Sequence, residues 1–258
     1  MVDIIRTGNI VPLTIAVFLF LVIIYVFWAA KKKDKPFGTM RPITAMEHIE
    51  EAVGRAAEMN KSVFFCTGDG TITTTEAINI LAGISVLGRV AEITAKYNVP
   101  LTNIVNDAYK NELERATMRD GYIKAGHLDR FKDEFIEFPG GQYFAWSNAA
   151  AQYLLNEQPG AAFLIGRYLG AAVLIGESCA RSGALSFGGG HLFFVISCDY
   201  FVLGEELFAC GAYASGDKDQ LASIAGTDIG KTLALILLLL GIIMNYAGNK
   251  FILSLLSM

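Results

Sequence analysis

The chain is poor in charge of either sign, and that is the first thing it says about partners. Lysine and arginine total 21 against 25 aspartate and glutamate, for a net charge of −4. Nucleic-acid binding needs a basic face to displace counterions, so that class is excluded. Histidine is scarce, with only His48, His127 and His191, which removes a histidine-based metal site. The four cysteines, Cys66, Cys179, Cys198 and Cys210, contain no C-x-x-C pair. Zinc ligation and a redox dithiol are therefore unsupported, and the four read as reduced, buried small hydrophobes. No G-x-G-x-x-G is present, nor a Walker lysine, so neither nucleotide fingerprint applies. No local Ser/His/Asp or Cys/His motif marks a nucleophile.

What the chain does have is apolar residue, 53% of the total, and much of it lies in two runs at the ends. The run from Ile10 to Ala30 carries no charge. A bilayer crossing needs roughly 20 residues at about 1.5 Å each, and this run supplies them. It is not a signal peptide, because its start holds Asp3 and Arg6 and a lysine cluster replaces the cleavage site. Pro12 falls in the first turn, where its missing N–H costs nothing. Tyr25 and Trp28 suit an interfacial position.

Lys31, Lys32, Lys33, Lys35 and Arg41 outweigh Arg6 across that run. By the positive-inside rule this places residues 1–9 outside, 10–30 in the membrane, and the basic linker 31–43 in the cytoplasm beside anionic headgroups. At the other end, Lys231 and Lys250 bound about 18 uncharged residues, so a second span over 229–258 is expected, with Lys250 snorkelling. The central residues 44–228 would then be a cytoplasmic domain with both chain ends extracytoplasmic.

Within that domain the expected elements alternate. Thr44 and Glu47 fit a capping box opening an amphipathic helix to about Asn60. Val63 to Cys66 reads as a buried strand, and Thr67-Gly68-Asp69-Gly70 as a turn. Thr73 and Glu76 fit a second capping box before a long apolar helix ending near Tyr97. Leu101 to Val105 reads as a strand. Asp107 to Arg119 reads as a helix broken at Gly121, followed by a short helix over Tyr122 to Phe131. After the Pro139–Gly141 turn, Gln142 to Trp146 reads as a strand and Ser147 as a helix cap. Gly160–Gly166 and Gly170–Gly176 nearly repeat each other, and strand followed by helix is preferred to a hairpin. Ala184 to Phe187 and His191 to Cys198 read as strands, and Leu203 to Ala214 as a helix. The stretch Ser215 to Gly226 leads to the last apolar helix. Strand–helix alternation of this kind predicts an α/β, Rossmann-like layered domain with a largely parallel sheet covered on both faces.

Three groups are candidate sites. The turn Thr67, Gly68, Asp69, Gly70, Thr71, with Thr74, follows a strand and feeds a helix N-terminus, where backbone N–H groups can hold an anion. Asp69 would repel a phosphate unless a cation intervened, and a tight turn with a helix cap explains the same residues. Gly188-Gly189-Gly190-His191 could approach a ligand closely, with His191 as acid or base. A flexible turn with a solvent-side histidine is the plainer account. Asp199, read as ending a strand, could bind a divalent cation with Glu205 and Glu206; helix capping and dipole complementation account for them equally.

The runs Val63–Gly70, Cys198–Ala209 and Gly211–Ser215, with Asp228–Lys231 at the start of the last helix, resemble a group of uncharacterised prokaryotic membrane proteins known only as a domain of unknown function. The resemblance covers most of the chain. It supports the two-anchor layout, brings no known activity, substrate or catalytic residue, and leaves the function open. The leading expectation is a non-enzymatic, membrane-anchored assembly or scaffold protein, a homo-oligomer or a subunit of a larger membrane complex, with no cofactor. The alternative is a ligand-binding or enzymatic domain taking a nucleotide, a phosphorylated metabolite or a divalent cation at residues 67–75 and Asp199.

Overall fold

In the computed structural model, residues 43–73, 75 and 77–246 are described, together with 17–18, 20–25 and 28–29. They fall into two compact units, one of residues 42–216 and one drawn from the two ends of the chain.

The larger unit is α/β, with six strands, all parallel. They are β1 (Val63–Gly68), β2 (Leu101–Ile104), β3 (Ile136–Glu137), β4 (Ala161–Arg167), β5 (Leu185–Gly189) and β6 (Tyr200–Val202). Their order across the sheet is β3-β2-β1-β4-β5-β6, the Rossmann order of two half-sheets meeting at β1 and β4. The register starts in step, with Val63 opposite both Leu101 and Ala161, and holds against β4 to Cys66 opposite Leu164; it then shifts at a bulge that sets Gly68 opposite Arg167.

Every residue of β1 and β2 is buried, so Val63–Cys66 of β1 reads as an apolar run without polar alternation, while β2 buries the polar Thr102 and Asn103 by bonding them, Thr102 Oγ1 accepting from Tyr153 Oη and Asn103 Nδ2 donating to Glu114. Successive side chains still serve opposite faces. Val63, Phe65, Ala161, Phe163 and Ile165 point into one core, and Phe64, Cys66, Ala162 and Leu164 into the other.

The first core is covered by α1 (Thr44–Glu47), α2 (Ile49–Glu58), α3 (Ala77–Tyr97), α4 (Ala108–Lys124) and α8 (Glu205–Ser215). The second is covered by α5 (Tyr143–Glu157), α6 (Ala171–Ser182) and the short α7 (Phe194–Ser197). Helix α3 is the pivot of the first layer. Its Gly83 lets it lie on β4, where a Cβ would come 2.2 Å from the Ile165 carbonyl oxygen. It is long and apolar enough to cross a membrane, yet more than half of it is buried inside this unit.

Several local expectations are corrected. Thr44 does not cap α1: the N-cap is Ile43, no side chain bonds there, and the helix breaks at His48. Helix α4 runs unbroken through Gly121, which is there for packing. A Cβ on it would strike the Gly88 carbonyl oxygen of α3 at 2.7 Å. Past Lys124 the expected short helix over Tyr122 to Phe131 is replaced by the end of α4 and a 3-10 turn, Leu128–Arg130, with a second 3-10 turn at Asp133–Phe135.

The expected strand at Gln142–Trp146 is the start of α5. Trp146 is buried while Phe144 is exposed, so the aromatic run serves a helical face, and Ser147 lies inside the helix. The third strand is Ile136–Glu137, before the Pro139 turn. The expected strand His191–Cys198 is a turn and α7, and the edge strand follows it as β6. Strand-then-helix is right for the two Gly-bounded copies, as β4 and α6.

The second unit contains α9 (Lys218–Tyr246) and the helical residues described between 17 and 29. Helix α9 begins at Lys218, so most of the acidic stretch after Ser215 is already part of the last helix. Gly226 and Gly230, one helical turn apart, face Ile23, at 3.6 and 3.4 Å from where their Cβ atoms would lie. Small residues at this spacing let two helices approach closely. Lys218–Leu240 is long and apolar enough to cross a membrane, and Leu235, Leu238 and Ile242 are exposed. The lysine cluster 31–35, Arg41, Lys250 and the outer parts of both apolar runs lie outside the described residues.

Candidate functional site

In an open parallel sheet, ligands bind beyond the carboxyl ends of the strands, where the strand order reverses. Here that point lies between β1 and β4. Three strands reach it, and each has a glycine at a close crossing near its end: Gly68 ends β1, Gly166 is next to last in β4, and Gly190 follows β5. Gly68 has φ of +90°, and a Cβ would stand 1.8 Å from the Arg167 carbonyl oxygen. A Cβ on Gly166 would stand 2.1 Å from the Thr67 oxygen, and one on Gly190 1.9 Å from the Gly166 oxygen. No L side chain fits at these positions.

The carbonyl oxygens that leave the sheet here are taken by the chain's own side chains. Tyr168 Oη donates to the Cys66 oxygen at 2.6 Å, and Trp146 Nε1 to the Ile104 oxygen at 3.1 Å. Lys110 Nζ donates to the oxygens of Gly68 at 2.8 Å and Gly70 at 3.2 Å. Asn106 Nδ2 donates to the Asp69 oxygen at 2.8 Å. Lys110 is fully buried, as is Glu114 one turn further along α4. Glu114 accepts from Thr67 Oγ1 at 2.5 Å and from Asn103 Nδ2 at 2.6 Å. Burial pushes the Glu114 carboxyl upward, opposed by the Lys110 charge and these two donors.

Asp69 closes the crevice. Its side chain is 1% exposed and accepts from Arg167 Nη1 at 2.7 Å and from the Leu169 N–H at 2.9 Å. The carboxylate thus stands before the first turn of α6, where a phosphate would bind in a dinucleotide fold. It bridges the two half-sheets.

The predicted residues divide between the two ends of the sheet. Thr67, Gly68, Asp69, Gly70 and Thr71 lie together at the carboxyl end. Gly70 has no positive φ. It is fixed by packing, with Ile80 Cδ1 at 2.6 Å from a Cβ. Thr71 Oγ1 bonds Thr73 Oγ1 at 2.9 Å and accepts from the Thr73 N–H. Thr74 and Glu76 lie outside the described residues, and with them the second capping box.

Gly189, the last residue of β5, and His191, just after it, share this carboxyl end. Gly189 packs against β6, with Val202 Cγ2 at 2.9 Å from a Cβ. His191 Nδ1 accepts from the Phe193 N–H at 3.2 Å. Asp199 is at the opposite end, before β6 and not after a strand. Its Oδ2 accepts from the Ser186 N–H and Oγ, both at 2.8 Å, and Ser186 Oγ accepts from the Asp199 N–H at 2.9 Å. This reciprocal pair pins the starts of β5 and β6 together, and Asp199 does not meet the 67–71 turn.

Lys110, Glu114, Asn103, Arg167, Tyr168 and Trp146 were not singled out in the sequence. One signal was present: Arg167 is the lone charge ending an apolar, glycine-rich strand. Lys110 and Glu114 carry none, because a charged pair four apart on a polar helix ordinarily faces water. Among the described residues, no three His, Cys, Asp or Glu side chains form a metal cluster. The four cysteines are free. Burial pushes Cys66 and Cys198 up to about 11, and Cys210 to about 12, so these thiols stay protonated and unreactive at neutral pH.

A family profile described as Domain of unknown function (DUF6754) matches residues 2–256. The chain belongs to this family. The DUF6754 match takes in both apolar ends together with the α/β unit. No curated protein and no solved structure matches the chain.

Proposed function

We propose that this DUF6754 chain is a membrane-anchored assembly protein. Its α/β domain stands in the cytoplasm, tethered at both ends by apolar helices, and associates with copies of itself or with other subunits of a membrane complex. The observation that carries the reading is the filled switch point. The groups that would recognise a phosphate are engaged internally: the Leu169 N–H and Arg167 by Asp69, and Lys110 by the Gly68 and Gly70 carbonyls. A nucleotide would have to displace a buried carboxylate from its cation, so the alternative of nucleotide or phosphorylated-metabolite chemistry has less support. The exposed apolar flank of α9 supports anchoring. Tethering at both ends fixes orientation and raises local concentration, which favours lateral association.

The test is the mass of the full-length chain in mild detergent, measured with any small molecule that it retains. A homo-oligomer free of ligand is expected, and a monomer carrying a nucleotide would overturn the reading. Cysteines introduced near residues 3 and 257 should react with an impermeant maleimide on intact cells. Protection at both positions would overturn the cytoplasmic placement.

A further inference from the structure

The layer formed by α5, α6 and α7 carries an apolar surface that the α/β unit does not cover. Phe144 is 75% exposed, Leu192 75% and Ile196 80%, with Leu169, Val173 and Val195 exposed between them. They belong to one surface. A Cβ on Gly170 would lie 3.2 Å from Tyr143 Oη, so the starts of α5 and α6 touch. A Cβ on Gly176 would lie 2.7 Å from Ser197 Oγ, so α6 packs on α7. One turn further along, the outer face of α6 becomes polar with Glu177 and Arg181, paired at 3.8 Å. The surface is therefore apolar at its centre and bordered along α6 by a charged pair, as the edge of a protein interface is.

We propose that this surface is where a second copy of the chain docks, α6 against α6 across a two-fold axis. The inference rests on the assembly reading above and names its contact. The six side chains leave roughly 700 Å² in water, above the largest patch of most monomers and close to the about 800 Å² that each partner gives a standard interface. A two-fold contact needs a self-complementary patch, and an uncharged one meets no like charge across the axis. A lipid surface fits less well. Membrane-docking faces carry basic residues around their apolar centre, whereas residues 168–203 contain no lysine and a single arginine, Arg181.

The test uses the full-length chain in lipid nanodiscs. Leu192→Cys carrying a nitroxide should show a dipolar coupling between two labels, and little relaxation by oxygen dissolved in lipid. The double variant Leu192→Glu, Ile196→Glu should halve the mass of the particle's protein content while leaving the melting temperature unchanged, since both side chains are exposed. An oligomer that survives the double variant would overturn this surface and leave the assembly reading standing. A wild-type monomer would overturn both. A label without dipolar coupling and with strong oxygen relaxation would assign the surface to lipid instead.

Discussion

Replacing Asp69 tests whether the switch point is a structural latch. Asp69→Ala removes a 2.7 Å ionic hydrogen bond to Arg167 and a 2.9 Å bond from the Leu169 N–H. Hydrogen bonds to a charged group contribute about 1.5–3 kcal/mol each. Arg167, 21% exposed, is left with its charge largely out of water. Breaking a buried pair from one side costs about 3–5 kcal/mol, and the lower half of that range suits a cation that keeps some solvent. Arg167→Ala should cost a similar amount, because it strands a carboxylate that is 1% exposed.

The double variant should cost less than the sum, with a coupling of about 1.5–3 kcal/mol. Urea unfolding of the α/β unit can be followed by Trp146, which is fully buried, in a Trp28→Phe background. If Asp69 instead waits for a ligand, Asp69→Ala would shift the unfolding free energy by less than about 0.5 kcal/mol, the scatter of ordinary surface changes, and the latch would be refuted.

Two glycine-to-alanine changes should differ in sign. Gly83→Ala forces α3 off β4 and should cost about 3 kcal/mol or more, while Gly54→Ala, on α2 with open space around it, should stabilise by about 0.5–1 kcal/mol; thermal melts of the two variants decide. Glu114→Gln should flatten the pH dependence of stability. Burial raises the folded carboxyl above its ordinary 4.5, so between that value and the raised one the folded state holds a proton that the unfolded state has released. Stability therefore falls as pH rises through this window, and the slope should shrink in the variant. Identical slopes in urea titrations from pH 4 to 8 would show that Glu114 does not titrate there.

The sheet was readable because a parallel strand buried on both faces leaves a plain trace. Val63–Cys66 and Ala161–Ile165 are apolar runs closed by turns, and Leu101 to Val105 sets apolar residues around the buried Thr102 and Asn103. Where a helix carries the same residue types, composition misleads. Tyr143, Phe144 and Trp146 favour strands as residues, yet here they serve both faces of a helix start. Leu192 to Ile196 has strand composition and folds as a turn and α7, and that displaced Asp199 from the end of one strand to the start of the next. At the switch point the glycine turn stood out, since Gly68 needs its positive φ. The side chains that fill the crevice did not, because α4, which carries Lys110 and Glu114, and β4, which ends in Arg167, are far from that turn in the chain. Only the strand order brings them to Thr67 and Asp69.

That strand order also sets a schedule for synthesis. The central strand β1 pairs on one side with β2, which follows it closely, and on the other with β4, whose Ala161 stands opposite Val63. The latch spans a sequence separation of 98 residues, from Asp69 to Arg167. At a ribosomal pace of about 5–20 residues per second, one edge of Val63–Cys66 stays bare for roughly 5–20 s after it is made. A nascent Val-Phe-Phe-Cys edge is an adhesive surface, and neighbouring chains on the same message carry the same one. Holding this edge away from its neighbours until the second half-sheet emerges is a burden that the cell carries for every copy it makes.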